Sequence, residues 1–344
     1  MPVIGVSSVV SLPLALSNLL QVLFNMSDVA VVGRFAGSTA LGAVGSTSIF
    51  VTLFTGFLIG LGNGINVLVA RFYGARHEHD VEKTVHSAAI VSLIAGVVLL
   101  FVGLLGSPFM LRLLNTKDDL LPGAILYLRV YFLGMPALAL YNFGNAVFSA
   151  IGETKKPLYI LSFAGVLNIL LNLFFVIVCN LDVAGVALAT IISQTVSACM
   201  VTRMLMKEEG ALHLDLHHLG FHMGALKQIL LIGLPAGLQS TVFSLSNVVI
   251  QSAINSFGST VVAGSSASAN LEGFVYTAMN AFSQAAVTFT SQNMGARKYQ
   301  NLNRVVLNCL LCAIVTGVVL GGGAVLAGTQ LLHFYSSDAA VIAA

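Results

Sequence analysis

Apolar residues in this chain come in long unbroken runs, separated by short clusters rich in Gly, Pro, Lys and Arg. Each run reaches roughly 20 residues or more, enough for a helix rising about 1.5 Å per residue to cross about 30 Å of hydrocarbon. The runs are continuous and rich in Leu, Val, Ala and Gly, without alternation, which excludes a transmembrane β-barrel. The pattern predicts helical spans near residues 6–33, 40–71, 84–107, 121–149, 157–180 and 183–206. A polar linker over 207–224 follows, then spans near 226–256, 260–292 and 302–328. Residues 3–33 read as a full first span rather than a cleavable signal. The linker stretch HLDLHHLGFHMGALK predicts an amphipathic surface helix joining two halves.

The chain also repeats itself. Gly37-Ser38-Thr39 recurs as Gly258-Ser259-Thr260, and Gly74-Ala75-Arg76 as Gly295-Ala296-Arg297, both at an offset of 221 residues. Leu12-Pro13 answers Leu234-Pro235 with one residue of slippage, and Val85 answers Val306. Six spans precede the second copy, so both copies enter the membrane in the same direction. Such parallel repeats mark secondary transporters, whose substrate path lies between the halves. The second copy continues only to the counterpart of residues 107–123, with Leu332–Ala344 answering Leu111–Gly123.

The expected fold is therefore all-α and polytopic: two parallel-repeat lobes of six helices each, the second truncated here to about three. Its divisions are an N-terminal lobe over 1–206, a cytoplasmic linker over 207–224 and an incomplete C-terminal lobe over 225–344.

Composition sharpens this picture. Of 344 residues, 57% are hydrophobic and 8% charged, and the mean hydropathy is +0.94, too apolar for a water-facing surface. The net charge of +2 comes from singly scattered basic residues, so no nucleic-acid partner is expected. With the N-terminus placed in the cytoplasm, eleven basic residues fall inside, including Arg71, Arg76, Lys155, Lys156, Arg297 and Lys298. Only Arg34, Arg112, Lys117 and Arg129 fall outside, so the positive-inside rule puts the N-terminus in the cytoplasm of a cell-membrane protein. Cys309 and Cys312 form a CxxC within an apolar span, and His213, His217, His218 and His222 cluster near Asp215. Neither has a full ligand set, and no metal or cofactor is expected.

Asp28, in LFNMSDVAVVG, falls inside the first span. A charged carboxylate at the bilayer centre costs about 2.5–3.5 kcal/mol on insertion scales, so it must face protein or water. Low dielectric disfavours its charged form, so it can hold a proton, release it on hydration, or bind Na⁺ beside neutral oxygens. The competing reading is a helix-end residue solvated near the outer interface. Asn168 and Asn172 in the fifth span, and Thr190 and Gln194 in the sixth, are spaced i, i+4 and so share helix faces. Interhelical packing and a site role both fit them. Glu272, in ASANLEGFVYTAMNAF, is the second intramembrane acid, with Val51 at the matching position of the first copy. It suits either a cavity-lining face or a structural hydrogen bond. Gln21, Asn25, Asn145 and Gln284 are span-embedded amides able to line a polar cavity. Gly56, Gly60 and Gly64 form a small-residue face for close helix packing. Pro13, Pro136 and Pro235 are candidate kinks. No phosphate-binding glycine loop and no Ser/His/Asp set appears, so neither ATP-driven transport nor enzymatic activity is expected.

The segments LPLALSNLLQVLFNMSDVAVVG, AIGETKKP, LNILLN, AGVALATIISQ and SQNMGAR together resemble the multidrug and toxic compound extrusion (MATE) family of cation-coupled exporters. The resemblance implies export of organic cations or drugs in exchange for H⁺ or Na⁺ by alternating access, from a bilayer-embedded and monomeric protein. It makes Asp28 the coupling carboxylate and sets Asn168, Asn172 and Thr190 around it. Where the family commonly has Asp, this chain has Asn172, which leaves Asp28 as the site's one acid and favours H⁺. Two rivals stand beside this reading. A lipid-linked oligosaccharide or polysaccharide flippase needs basic residues in its cavity, and an integral-membrane transferase needs an interfacial acidic or histidine cluster.

Overall fold

The computed structural model describes residues 3–114, 116–217, 219–254 and 259–328. The side chain of Asn25, His218 of the linker and the stretch 332–344 lie outside the described residues. The helices are α1 (Val3–Val31), α2 (Gly37–Gly74), α3 (Glu78–Leu113), α4 (Leu121–Leu133) and α5 (Met135–Ala150). They continue as α6 (Lys155–Leu173), α7 (Asp182–Lys207), α8 (Met223–Ile254), α9 (Ser259–Gly295) and α10 (Leu302–Leu326). Single π-helical turns extend α1 over Val32–Ala36 and α6 over Phe174–Val178. Among the described residues, six helices are long and apolar enough to cross a membrane, or seven when α4 and α5 count as one bent span. Large apolar side chains such as Leu105, Phe109, Val325 and Leu326 are largely exposed, as a hydrocarbon solvent allows.

Two expectations are corrected. The fourth span is broken: α4 and α5 meet at 48° around Gly134. Pro136 sits in the first turn of α5, where it has no N–H to continue α4's ladder. Gly96 of α3 crosses there, so close that a Cβ on it would stand 2.6 Å from Pro136 Cα.

The linker, in turn, is not an amphipathic helix. Apart from a short 3-10 turn at Gly210–Leu212, residues 208–217 and 219–222 are irregular. Leu212 and Leu214 are buried in the core with Val85 and Ile229, so the segment is pinned inward by its own leucines. Its backbone is held from α3: the Asp215 N–H donates to His86 Nε2 at 3.1 Å and the His222 N–H to Ser87 Oγ at 3.1 Å. With these donors taken by side chains, no helical ladder is needed. Lys156 Nζ lies 2.5 Å from Glu208 Oε1 and anchors the segment's start.

The repeat is realised as matched local structure. Arg76 and Arg297 both take positive φ, 58° and 57°. Each follows a helix end closed by the same pair of bonds: His77 N–H to Phe72 O with Arg76 N–H to Tyr73 O, and Lys298 N–H to Asn293 O with Arg297 N–H to Met294 O. This is the six-to-one, five-to-two cap that ends many helices, here with Arg in the position glycine usually fills. The glycines of the motif serve a different need. A Cβ on Gly74 would overlap the backbone of Gln292, and one on Gly295 the backbone of Arg71, so the two turns press on each other.

The halves meet along α1, α2, α8 and α9. The predicted glycine face of α2 lies on α8: a Cβ on Gly60 would overlap the Gly237 backbone, and one on Gly64 would stand 2.7 Å from Gly233 Cα. Backbones that approach this closely gain dispersion contact, the main attraction available between helices in lipid. Within the first half, α1 leans on α6, while α7 packs on α4, α5 and α6. That arrangement leaves polar faces of α1, α6 and α7 converging.

Candidate functional site

The convergence is tightest at Asp28. Gly165 of α6 lets the Phe24 ring lie directly against the helix, since a Cβ there would overlap it. One turn on from Phe24, Asp28 then reaches Asn172, whose Nδ2 donates to Asp28 Oδ1. The same Nδ2 donates to Asn168 Oδ1 at 3.1 Å. Asn168 Nδ2 faces α7, 3.3 Å from Ser193 Oγ and 3.4 Å from Thr190 Oγ1. Thr190 and Ser193 donate back to Val186 O and Thr190 O, their helix's own carbonyls. One chain of hydrogen bonds thus runs from α1 through α6 to α7 and joins Asp28, Asn168, Asn172 and Thr190.

The chain ends in an imbalance. Asn172 is fully buried, yet its Oδ1 has no hydrogen-bond partner. An orphaned buried carbonyl oxygen beside a carboxylate offers two acceptors and no donor. A proton carried by Asp28, a water or a hard cation satisfies that arrangement, and oxygen-only ligands suit alkali and alkaline-earth ions.

The site forms one wall of a cavity of about 420 Å³, within the range of small-molecule pockets. Phe24, Tyr131, Tyr141, Phe243 and Tyr276 supply aromatic surface, and Thr55, Gln194 and Ser240 supply polar atoms. Phe243 and Tyr276 stack across α8 and α9 at 6.1 Å, so the second half closes this side. Tyr131 lies with its hydroxyl 3.4 Å from Thr55 Oγ1. Among the described residues, Asp28 is the single carboxylic acid in the wall, and no Lys, Arg or His lines it.

A second cavity of about 80 Å³ lies along the seam, lined by Gln21, Asn63, Asn66, Asn145, Gln284 and Thr288 among others. Among the described residues its wall holds no charged side chain. The sequence-derived amides therefore divide: Gln194 faces the large cavity, Asn145 and Gln284 the small one, and Gln21 both. Asn25 lies outside the described side chains.

Glu272 departs from expectation, being exposed and lining neither of these cavities. The inward stripe of α9 runs through Tyr276, Gln284 and Thr288, and Glu272 stands one turn beyond its last cavity contact. Sequence reasoning missed Ser193 and the tyrosines. Ser193 carried a usable signal, three residues from Thr190 on the same face. Tyr131 and Tyr141 carried none, because a tyrosine in an apolar helix reads equally well as core. Among the described residues no three His, Cys, Asp or Glu side chains gather as a metal site.

Long apolar helices enclosing cavities between two repeated halves define a polytopic helical membrane protein. The chain belongs to the MatE family, whose model matches residues 13–174 and 235–344. It is 32% identical over 301 residues to a probable multidrug resistance protein, YpnP, of Bacillus subtilis, covering 83% of this chain and 64% of that relative's length. It is 24% identical over 348 residues to an FAD transporter of Shewanella oneidensis, covering 97% of this chain and 75% of the relative. In fold it is similar to the outward-facing conformation of a multidrug resistance MATE family transporter of the MOP superfamily. That structure superposes with a TM-score of 0.92 over 99% of this chain and 76% of its own, at 24% identity.

Proposed function

We propose that this chain exports organic cations or drugs across the cell membrane in exchange for H⁺ or Na⁺, by alternating access. The observation that carries this reading is the missing counter-charge: among the described residues, Asp28 is the one carboxylic acid of an aromatic-sided cavity whose wall contains no base. A buried carboxylate without a protein counter-charge is costly, so its counter-ion comes and goes as a proton, a metal cation or a cationic substrate. Two cations competing for one carboxylate is the simplest form of coupled exchange. Aromatic faces add attraction for an organic cation that they cannot offer to an anion. One elementary charge moved inward through 100 mV supplies about 2.3 kcal/mol, roughly a fiftyfold concentration ratio for the exported partner.

The relatives' names support drug export, and the basic residues near the 71–76 and 295–298 turns favour a cytoplasmic position for that end. A flippase for pyrophosphate-linked lipids is disfavoured, because neither cavity wall holds a basic residue to meet such a headgroup. The FAD transporter among the relatives raises an anionic alternative, which the same lack of basic residues opposes.

The test is export of a fluorescent cationic dye from proteoliposomes under an imposed H⁺ or Na⁺ gradient, comparing the parent with Asp28→Asn. Loss of gradient-driven export by at least about tenfold is expected, equivalent to about 1.4 kcal/mol. Unchanged export and unchanged ion dependence in Asp28→Asn would falsify the coupling role.

A further inference from the structure

The small amide-lined cavity is not used by the exchange at Asp28, and four observations give it a role. First, it is polar yet uncharged, and at about 80 Å³ it has room for several water molecules, each needing roughly 10–15 Å³. Second, Ser17 on its wall has a buried Oγ without a hydrogen-bond partner, a group that water in the cavity would satisfy. Third, it shares Gln21, Ile59, Tyr141 and Leu161 with the large cavity, so the two compartments are neighbours through a thin partition.

Fourth, its far end is shut by bonds that cross between the halves. Thr288 Oγ1 of α9 donates to Asn66 Oδ1 of α2 at 3.0 Å, both residues being buried. Asn66 is held in register by its own Nδ2, which donates to Ala146 O at 3.2 Å, so its oxygen is aimed across the seam. One turn further along α9, Gln292 Nε2 donates to Ala150 O at 2.6 Å. Beyond these bonds the Gly74 and Gly295 turns close on each other. The sealed end is thus the basic end of the helices, opposite the side on which Asp28 lies.

We infer that the amide cavity is the closed inner half of the transport path, filled with water, and that the Thr288–Asn66 hydrogen bond is the latch holding it shut. This rests on the alternating-access reading and adds to it the element that opens. A single neutral hydrogen bond suits the task. Its partners rehydrate when the halves part, so the bond biases the closed state without locking it. Neutral amides likewise let a hydrated cation pass without trapping it. A charged pair at the same place would hold harder and leave two buried charges on opening.

The experiment reads accessibility rather than transport. In the full chain with Cys179, Cys199, Cys309 and Cys312 replaced by Ala, a reporter Asn145→Cys is placed in the small cavity and Ser240→Cys in the large one as a control. A membrane-impermeant methanethiosulfonate cation is applied to oriented vesicles, from the basic side for position 145 and from the opposite side for the position 240 control. Thr288→Val, which deletes the donor, is expected to raise the labelling rate at position 145 about fivefold, the population shift one hydrogen bond commands. Thr288→Ser, which keeps the hydroxyl, is expected to label at the parent rate. Asn66→Ala, which removes the acceptor, provides a second opening of the same latch and is expected to match Thr288→Val.

Equal labelling of the Val and Ser variants, or no rise in either latch variant while the position 240 control reacts normally, overturns the inference. Labelling needs neither substrate nor gradient. The latch can therefore fail while Asp28→Asn still uncouples export, and Asp28 can fail while the latch stands.

Discussion

A carboxylate in the wall of a largely apolar cavity needs a counter-charge, and among the described residues the walls around Asp28 contain none. That deficit makes a sharp prediction at a neighbouring position. Gln194 lines the same cavity, so Gln194→Lys would supply a permanent internal cation. Export of a cationic dye is expected to fall at least about tenfold, with the protein still monodisperse in detergent. Normal dye export by that variant would show that Asp28 does not need a mobile partner. Asn172→Asp makes the complementary change by placing a second carboxylate against the first. Two adjacent acids demand more positive charge than one proton provides. Export is then expected to become Na⁺-stimulated, which a comparison of Na⁺ with choline buffers measures. Asp28 stood out as a carboxylate inside a span, and helical spacing put Asn168 and Asn172 on one face, but setting these amides and Thr190 around Asp28 came from the family resemblance. It could not disclose the Phe24–Gly165 contact that sets Asp28 within reach, since which glycine faces which ring is decided by tertiary packing. The orphaned Asn172 oxygen was equally hidden, being a property of who its neighbours are.

Among the elements, α2 carries the seam through its glycines, and substitutions there act through the backbone of α8. Gly60→Leu would drive a side chain into Gly237 and is expected to destabilise the fold by about 3 kcal/mol or more, read as a lowered Tm in detergent. An unchanged Tm would mean that α2 and α8 do not touch there. The helix-ending turns give a change of opposite sign. Arg76 holds a left-handed backbone that costs a side-chain-bearing residue about 1 kcal/mol, so Arg76→Gly is expected to raise Tm slightly. Arg297→Gly offers an independent repeat of the same measurement. Span positions were legible from hydropathy, and the small-residue stripe from its four-residue period. Two features were not. Pro136 flagged the bend between α4 and α5, but its 48° angle and the close crossing of α3 at Gly96 were not legible, and the linker resisted reading because its leucines serve the core instead of a membrane surface. His86 and Ser87 take over that segment's backbone bonds, a substitution of side chains for helix that no periodicity reveals.

For the molecule as a whole, the repeat foretold two similar halves entering the membrane in parallel, and the matched caps at Arg76 and Arg297 show the similarity down to φ. What the repeat could not foretell is how unlike the halves are at their shared surface. Asp28 and the aromatic cavity belong mainly to the first half, while the second contributes a wall at Phe243 and Tyr276 and a bond at Thr288. The division of the amides between two cavities was beyond the sequence for the same reason. Each amide's role depends on which side of the Gln21–Tyr141 partition it falls. The connecting segment adds a mechanical corollary. It is fastened to α3 almost to its last residue, because the His222 N–H is tied to Ser87 and α8 begins at Met223. Any rocking of α8–α10 against the rest must pivot at that short joint, as a door swings from a pin set in its own frame. Extra residues inserted after His222 would give the pivot play, and the two halves would lose step with each other before either lost its shape.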